Sequence, residues 1–446
     1  MTAYMKDLFS WFIVFACASF SLGADVKTRD AAVRDDRAAV GSGSRWIYND
    51  YQRGFAEAKR TGKPLLVVLR CVPCQACAGI DAAVLLEGTD LAPLLDQFIL
   101  VRVIDANALD LQLFQIDYDL SFSTVFFNGD GTVYGRYGSW RHQKDPQDKT
   151  TAGLKRALEG ALAIHRGYPA NKASLAGKQG VTPAFKTPVE IPALAAQYKP
   201  ALDWDGAVAQ SCVHCHQIGE ALRENLRAKS QPLPDDMIYA WPAPETIGLT
   251  LAPDQAARVE AVAEGSPADR AGLKPGDDLI TLSGQPLISV ADLSWVLHRA
   301  PDPITFSATV DHGGTRKQLD LALPQSWRKR TDISRRVGAW GMRGMALGGM
   351  VLEDLSNSAR KERGLQPASG DMALLVKSVG QYGKHAAAKN AGFKKDDVII
   401  EFGDKGRRVT ESELLGELLQ HHFPGEQLKV RVLRGNGPIE LSLPMQ

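Results

Sequence analysis

At 446 residues the chain is too long for one ordinary domain, and its length suits roughly three, each large enough for its own core. Its 52 Lys and Arg balance 51 Asp and Glu, so no basic face follows from the totals and nucleic acid is not expected as a partner. There are only six cysteines, and all but Cys17 fall into two tight clusters.

The first 24 residues have the plan of a secretory signal: Lys6, an apolar run from Leu8 to about Phe15, then small residues around Ala16, Ala18, Gly23 and Ala24. The run is too short to span a bilayer comfortably, so the mature chain is expected to be exported without a transmembrane span. Val14-Phe15-Ala16-Cys17 faintly resembles a lipoprotein box, although the bulky Phe15 weighs against an anchor at Cys17. Export to the periplasm or cell envelope places the cysteines where disulfides persist and where c-type haem is attached.

After a polar lead, NDYQRGFAEAKRTG reads as an amphipathic helix and PLLVVL, residues 64–69, as a buried strand. RCVPCQACAG follows at once, with Cys71, Cys74 and Cys77 three apart. AGIDAAVLLEGTDLAPLLDQ continues as helix, QFILVRVI as a second buried strand, and STVFFNGDGTVYGRYG as a hairpin turned at Asn128-Gly129-Asp130-Gly131. A helix from about Thr151 to His165 closes the unit.

GKPLLVVLRCVPCQAC resembles the opening of thioredoxin-like domains, whose strand delivers a CxxC to a helix N-terminus. The resemblance puts the redox pair on Cys74 and Cys77 and leaves Cys71 as an extra thiol in the loop before, where it can serve catalysis as a second resolving thiol. Unpaired N–H groups and the helix dipole would stabilise a thiolate there, so Cys74 is expected as nucleophile and Cys77 as resolving thiol. Ser123 stands where the family has a cis-proline facing the CxxC, and a cis bond before a non-proline costs about 3 kcal/mol, so a trans peptide is expected. A static disulfide, or a zinc or other soft-metal site, is the alternative reading of the triple-thiol cluster.

Residues 167–203 are rich in Pro, Ala and Lys and read as a linker or irregular packing segment. SCVHCHQIGEALRENLR follows. Cys212-Val213-His214-Cys215-His216 fits the haem c attachment pattern, in which two thiols form thioethers and His216 becomes the axial iron ligand. Met237 and His165 are both open as distal ligands. A second thiol pair exchanging with Cys74 and Cys77, or a zinc knuckle, are the alternatives.

Beyond Trp241 the chain repeats itself: Ala271-Gly272-Leu273 matches Ala391-Gly392-Phe393, and Asp277 matches Asp397. The first copy resembles a bacterial PDZ domain, which implies a peptide site at Ile247, Gly248, Leu249, Thr250 and Leu251 for protein or peptide C-termini. The second copy has Lys395-Asp396 in place of Pro275-Gly276, and its loop would come from GMRGMALGGMVL, residues 341–352. No GNSGG or GxSxG stretch points to a protease.

The whole order resembles a family of exported bacterial thioredoxin-like/PDZ proteins, some of which carry selenocysteine in the redox motif. The expectation is a multidomain chain: signal 1–24, α/β thioredoxin-like domain 25–167, linker and short helical CxxCH segment 168–240, and α+β PDZ-like domains at 241–325 and 335–446. Its expected work is thiol–disulfide exchange with a redox partner and a covalent haem c. The rival is a periplasmic PDZ scaffold whose cysteine clusters are structural or metal-binding.

Overall fold

The computed structural model of the chain describes residues 26–41, 44–73, 78–85, 90–138, 151–366, 370–435 and 437–446. The expected signal and both Cys74 and Cys77 lie outside these residues.

The first domain is a five-stranded mixed sheet in the order β1-β3-β2-β4-β5. Its strands are β1 Trp46–Tyr48, β2 Leu65–Arg70, β3 Ile99–Val103, β4 Phe122–Phe127 and β5 Val133–Tyr137. β1, β3 and β2 run parallel, and β4 is antiparallel to both its neighbours. β2 is apolar along LLVVL because both its faces are covered. Leu65, Val67 and Leu69 meet helix Tyr51–Thr61, while Leu66 and Val68 meet helices Ala78–Leu85 and Ala152–Arg166. Helix Tyr51–Thr61 starts where the Asp50 carboxylate accepts the Arg53 N–H at 2.9 Å and stops at Gly62, left-handed at φ 71°. Gly54 lets that helix lie close on the sheet, since a Cβ there would sit 2.4 Å from Val101. The peptide before Ser123 is trans, as its residue type requires.

The polar lead is itself a helix, Val26–Gly41, and the expected linker is packed rather than loose. Ile191 and Leu194 share a small core with Leu111, Val213, Ile218 and Ala221. Lys178 is buried and pairs with Asp292 at 2.9 Å.

In the first repeat, β6 Leu249–Leu251 and β7 Val259–Val262 form a ribbon. Beside it lies the sheet β11-β10-β8-β9, made of β8 Asp278–Leu282, β9 Gln285–Pro286, β10 Ile304–His312 and β11 Thr315–Leu323. Its helix Val290–Arg299 is pressed against β5. Asp292 accepts the Arg136 N–H at 3.1 Å, the Trp295 indole donates to Gly177 O at 2.9 Å, and the Arg136 guanidinium lies 3.9 Å over the Trp295 ring.

The second repeat is the sheet β12-β13-β14-β15-β16, made of Val351–Asp354, Leu374–Ser378, Val398–Phe402, Gln427–Arg434 and Gly437–Pro444, with helix Glu411–His421. Asp277 and Asp397 hold equivalent buried places, each accepting a backbone N–H at 2.9 Å, from Lys274 and from Lys394. That shared turn is the physical content of the sequence repeat.

Candidate active site

β2 ends at Arg70, and Cys71 continues it, its N–H bonded to Ser121 O at 2.9 Å. The end of the strand is held by charge. Arg70 bonds Asp81 at 3.0 Å, Asp81 takes Arg102 at 2.6 Å, and Arg102, wholly buried, also holds Asp36 of the first helix. Two guanidiniums against two carboxylates leave this buried network balanced, which is the condition for burying charge. It ties the helix that follows the cysteine run to β2, β3 and helix Val26–Gly41.

The CVHCH segment arrives at the same place. Buried Asn107 fastens it: its amide donates to Lys199 O at 2.7 Å and Ser211 O at 2.8 Å, and its carbonyl oxygen accepts the Val213 N–H at 2.7 Å. His214 then caps helix Cys215–Arg227, donating its N–H to Gln217 Oε1 at 2.7 Å. The result is a contact across 143 residues of sequence, in which Cys71 Sγ lies 3.0 Å from His214 Nδ1. Cys71, Cys212 and Cys215 all line one cavity of about 20 Å³, closed by Val33, Leu69, Val103, Ile104, Ala106 and Leu202.

Burial sets the protonation states. It pushes the Cys212 thiol up to about 12, with the Asp105 charge adding to it, and the Cys215 thiol up to about 11. The His214 imidazole is held down to about 4 by burial, with His216 and Arg29 adding to it. At neutral pH Cys212 and Cys215 are therefore protonated thiols and His214 is neutral. With its proton on Nε2, His214 can accept one from Cys71 at Nδ1.

A covalent haem needs both thiols at the edge of a porphyrin and the histidine over its face. Here Cys212 Sγ lies against Ile104 O at 3.4 Å, and the shared cavity has room for about one water molecule. The residues as placed do not fit a haem. His165, open as a distal ligand on sequence, has both ring nitrogens engaged, by Tyr134 Oη at 3.0 Å and by Gly62 O at 3.0 Å. Among the described residues, no three His, Cys, Asp or Glu side chains are grouped so as to hold a metal ion.

The other expected site is the first repeat's loop. Gly248 takes a left-handed φ of 87°, and a Cβ there would sit 2.1 Å from Ser266. Ile247, Leu249 and Leu251 point into the core. Two of the loop amides are used within the turn: Thr246 N–H bonds Ala243 O at 2.9 Å and Gly248 N–H bonds Glu245 O at 3.0 Å. A cavity of about 430 Å³ nevertheless opens between β6, helix Val290–Arg299 and the connector Arg330–Arg336.

A family model described as thioredoxin-like matches residues 46–129, and two PDZ-domain models match 258–306 and 364–445. The chain carries a thioredoxin-like domain and two PDZ domains. It is similar to a probable periplasmic serine endoprotease DegP-like of Pseudomonas putida (strain W619), 24% identical over 180 residues, 40% of this chain and 35% of that one. A protein of the same description from Pseudomonas savastanoi pv. phaseolicola is 26% identical over 181 residues, again 40% and 35% of the two chains. This chain thus spans about a third of the length of those relatives. Among solved structures, the HtrA-type protease AlgW with decapeptide matches at TM-score 0.21 and 15% identity, over 32% of this chain and 49% of that one.

Of the expected site residues, the structure brings Cys71, Cys212 and Cys215 together, and His216 sits exposed beside them with its ring 5.7 Å from that of His214. His214 was passed over on sequence because the haem pattern gives its chemistry to the residue after the second cysteine. Its position between Cys212 and Cys215 was the available signal.

Proposed function

We propose that the chain is an exported thiol–disulfide oxidoreductase in which the two cysteine clusters form one redox site and the first PDZ domain guides a peptide to the protein. The carrying observation is the 3.0 Å approach of Cys71 Sγ to His214 Nδ1 beside Cys212 and Cys215. The thioredoxin-like fold, the signal-like start and the periplasmic relatives support the reading.

Cys71 gives its proton to His214 Nδ1, and its thiolate attacks one sulfur of a Cys212–Cys215 disulfide, forming a mixed disulfide. The other sulfur leaves as a thiolate and takes the proton back from His214. A second thiol of the loop, Cys74 or Cys77, then attacks Cys71 Sγ, closing a loop disulfide and freeing the second thiol of the CVHC pair. Two electrons pass from loop to pair, and the reverse runs by the same atoms.

Turnover of a small disulfide with a dithiol reductant tests the reading. Cys71→Ser should abolish it, a Cys74→Ser, Cys77→Ser double variant should impair it severely, and His214→Ala should slow it about a hundredfold, the usual scale for a lost general base. Unchanged turnover in His214→Ala would remove the histidine from the chemistry. A Soret band surviving denaturation, in protein made with haem maturation factors present, would replace the thiol pair by haem c.

A further inference from the structure

Both backbone groups of Cys71 are held. Its N–H donates to Ser121 O at 2.9 Å, and its carbonyl oxygen accepts from the buried Arg70 guanidinium, which Asp81 fixes in turn at 3.0 Å. His214 is held as firmly: its N–H donates to Gln217 Oε1 at 2.7 Å, and the Gln217 amide donates to Tyr198 Oη at 2.8 Å. Sulfur and imidazole are thus set 3.0 Å apart by two separate frameworks rather than by each other. A thiol beside a neutral histidine is an activated nucleophile, and here its direction of attack is fixed.

The cavity beside them limits what the nucleophile can meet. Its volume of about 20 Å³ holds one water with little to spare, and Val33, Leu69, Val103, Ile104 and Leu202 wall it with hydrocarbon. A disulfide carries a carbon chain on each sulfur and an alkyl hydroperoxide carries one on oxygen, so neither reaches Cys71 through this space. Hydrogen peroxide, two oxygens with a hydrogen on each and no charge, is close to its size. Cys212 and Cys215 line the same space, so a Cys71 oxidised there meets a second thiol at once.

We propose that Cys71 and His214 form a peroxide-reducing centre selective for hydrogen peroxide, with Cys212 or Cys215 as its resolving thiol. It rests on the thiol reading above and names an oxidant for that site. Cys71 gives its proton to His214 Nδ1, and its sulfur attacks one peroxide oxygen. The O–O bond breaks, and the other oxygen leaves as hydroxide and takes the proton from His214, forming water. Cys71 is then a sulfenic acid. The thiol of Cys212 or Cys215 attacks its sulfur, the S–O bond breaks, and the hydroxide leaves with that thiol's proton as a second water. Two sulfurs have lost two electrons, two oxygens have gained them, and a dithiol reductant returns the disulfide to thiols by exchange. Burial keeps Cys212 and Cys215 protonated, so they do not compete for the peroxide and Cys71 is oxidised first.

The test measures peroxide consumption by the full chain with dithiothreitol as reductant, beside its turnover of a small disulfide. Hydrogen peroxide should be consumed with a kcat/KM about tenfold or more above that for cumene hydroperoxide, the least that a pocket excluding carbon should give. Cys71→Ser should abolish consumption, and His214→Ala should slow it about a hundredfold. Leu202→Ala, which takes away one wall, should narrow the gap between the two peroxides. In a Cys74→Ser, Cys77→Ser, Cys212→Ser, Cys215→Ser variant, which has no resolving thiol, dimedone should label Cys71 after one equivalent of hydrogen peroxide, a readout that needs no turnover. Equal rates with the two peroxides in the parent chain overturn the selectivity. Consumption no faster than in Cys71→Ser, with disulfide turnover intact, overturns the peroxide centre and leaves the thiol reading standing. Loss of both activities overturns the two together.

Discussion

The two PDZ copies share a turn, a helix and a sheet, yet one keeps a groove and the other fills it. In the first, Ser289 caps the helix and is followed by Val290 and Ala291, which line the open cavity. In the second, Thr410 is the cap and Glu411 follows. The Glu411 carboxylate reaches across to β12, accepting the Leu352 N–H at 2.7 Å, and is gripped by Arg343 Nε at 3.0 Å. Helix Ala339–Ala346 packs alongside and buries Met342 and Met345. The chain itself thus occupies the place where a peptide would add to β12. What the second copy does instead is brace the thiol helix: Lys384 meets Glu220 at 2.7 Å, and Arg227 donates to Gln446 O at 3.1 Å. A duplicated module can give up its ligand and become a support, and one carboxylate at a helix start marks the difference.

The largest effect should come from breaking that bridge. Glu411→Ala leaves the Arg343 guanidinium buried without its partner, which should cost about 3 to 5 kcal/mol in chemical denaturation. Pairing Glu411→Val with Arg343→Met should recover much of that loss, because two apolar side chains then replace the buried pair. A double variant no more stable than Glu411→Ala would show that the loss does not come from the stranded Arg343 charge.

Next is acid lability. His298 stacks on Trp241 in the first copy, and burial lowers its imidazole to about 3. The unfolded chain therefore takes up the proton first, and stability should fall as pH drops from about 6.5 towards 3, by about 2 kcal/mol for a ring with one edge near solvent. Counting from the caps, the second copy has Leu419 at this place. His298→Leu should flatten the dependence without abolishing it, because His214 is held low for the same reason and adds its own share as pH drops from about 6.5 towards 4.

The smallest effect lies in the turns. Gly276 takes φ 89° in the first copy and Asp396 takes φ 72° in the second. Asp396→Gly should relieve the left-handed strain and stabilise by about 0.5 to 1 kcal/mol, and Gly276→Asp should cost about 1 kcal/mol. Thermal unfolding of both variants checks the pair, and equal shifts of the same sign would contradict it.

The repeat, the buried β2 and β3 and the hairpin were legible because each is fixed by neighbouring residues. Helix Val26–Gly41 was not, since among its described side chains only Val33 and Val40 join the buried core and its face carries charges that look like a solvated lead. Its role appears only through Asp36, whose partner Arg102 is 66 residues away. The candidate site failed to show for the same reason. Cys71 and CVHCH each read as complete motifs, and nothing local in either announces the other. The closing of the second groove was hidden too, because Glu411 looks like an ordinary acidic residue in the first turn of a helix until Arg343 and Leu352 are brought to it.

The most direct test is disulfide mapping. In a Cys74→Ser, Cys77→Ser double variant, Cys71 keeps its partner His214 but has no loop thiol to resolve it. Mild oxidation followed by digestion and mass spectrometry should then find Cys71 joined to Cys212 or Cys215 as the main product. Oxidation that yields only a Cys212–Cys215 disulfide, with Cys71 left as a thiol, would show that the two clusters do not exchange and would contradict the single redox site.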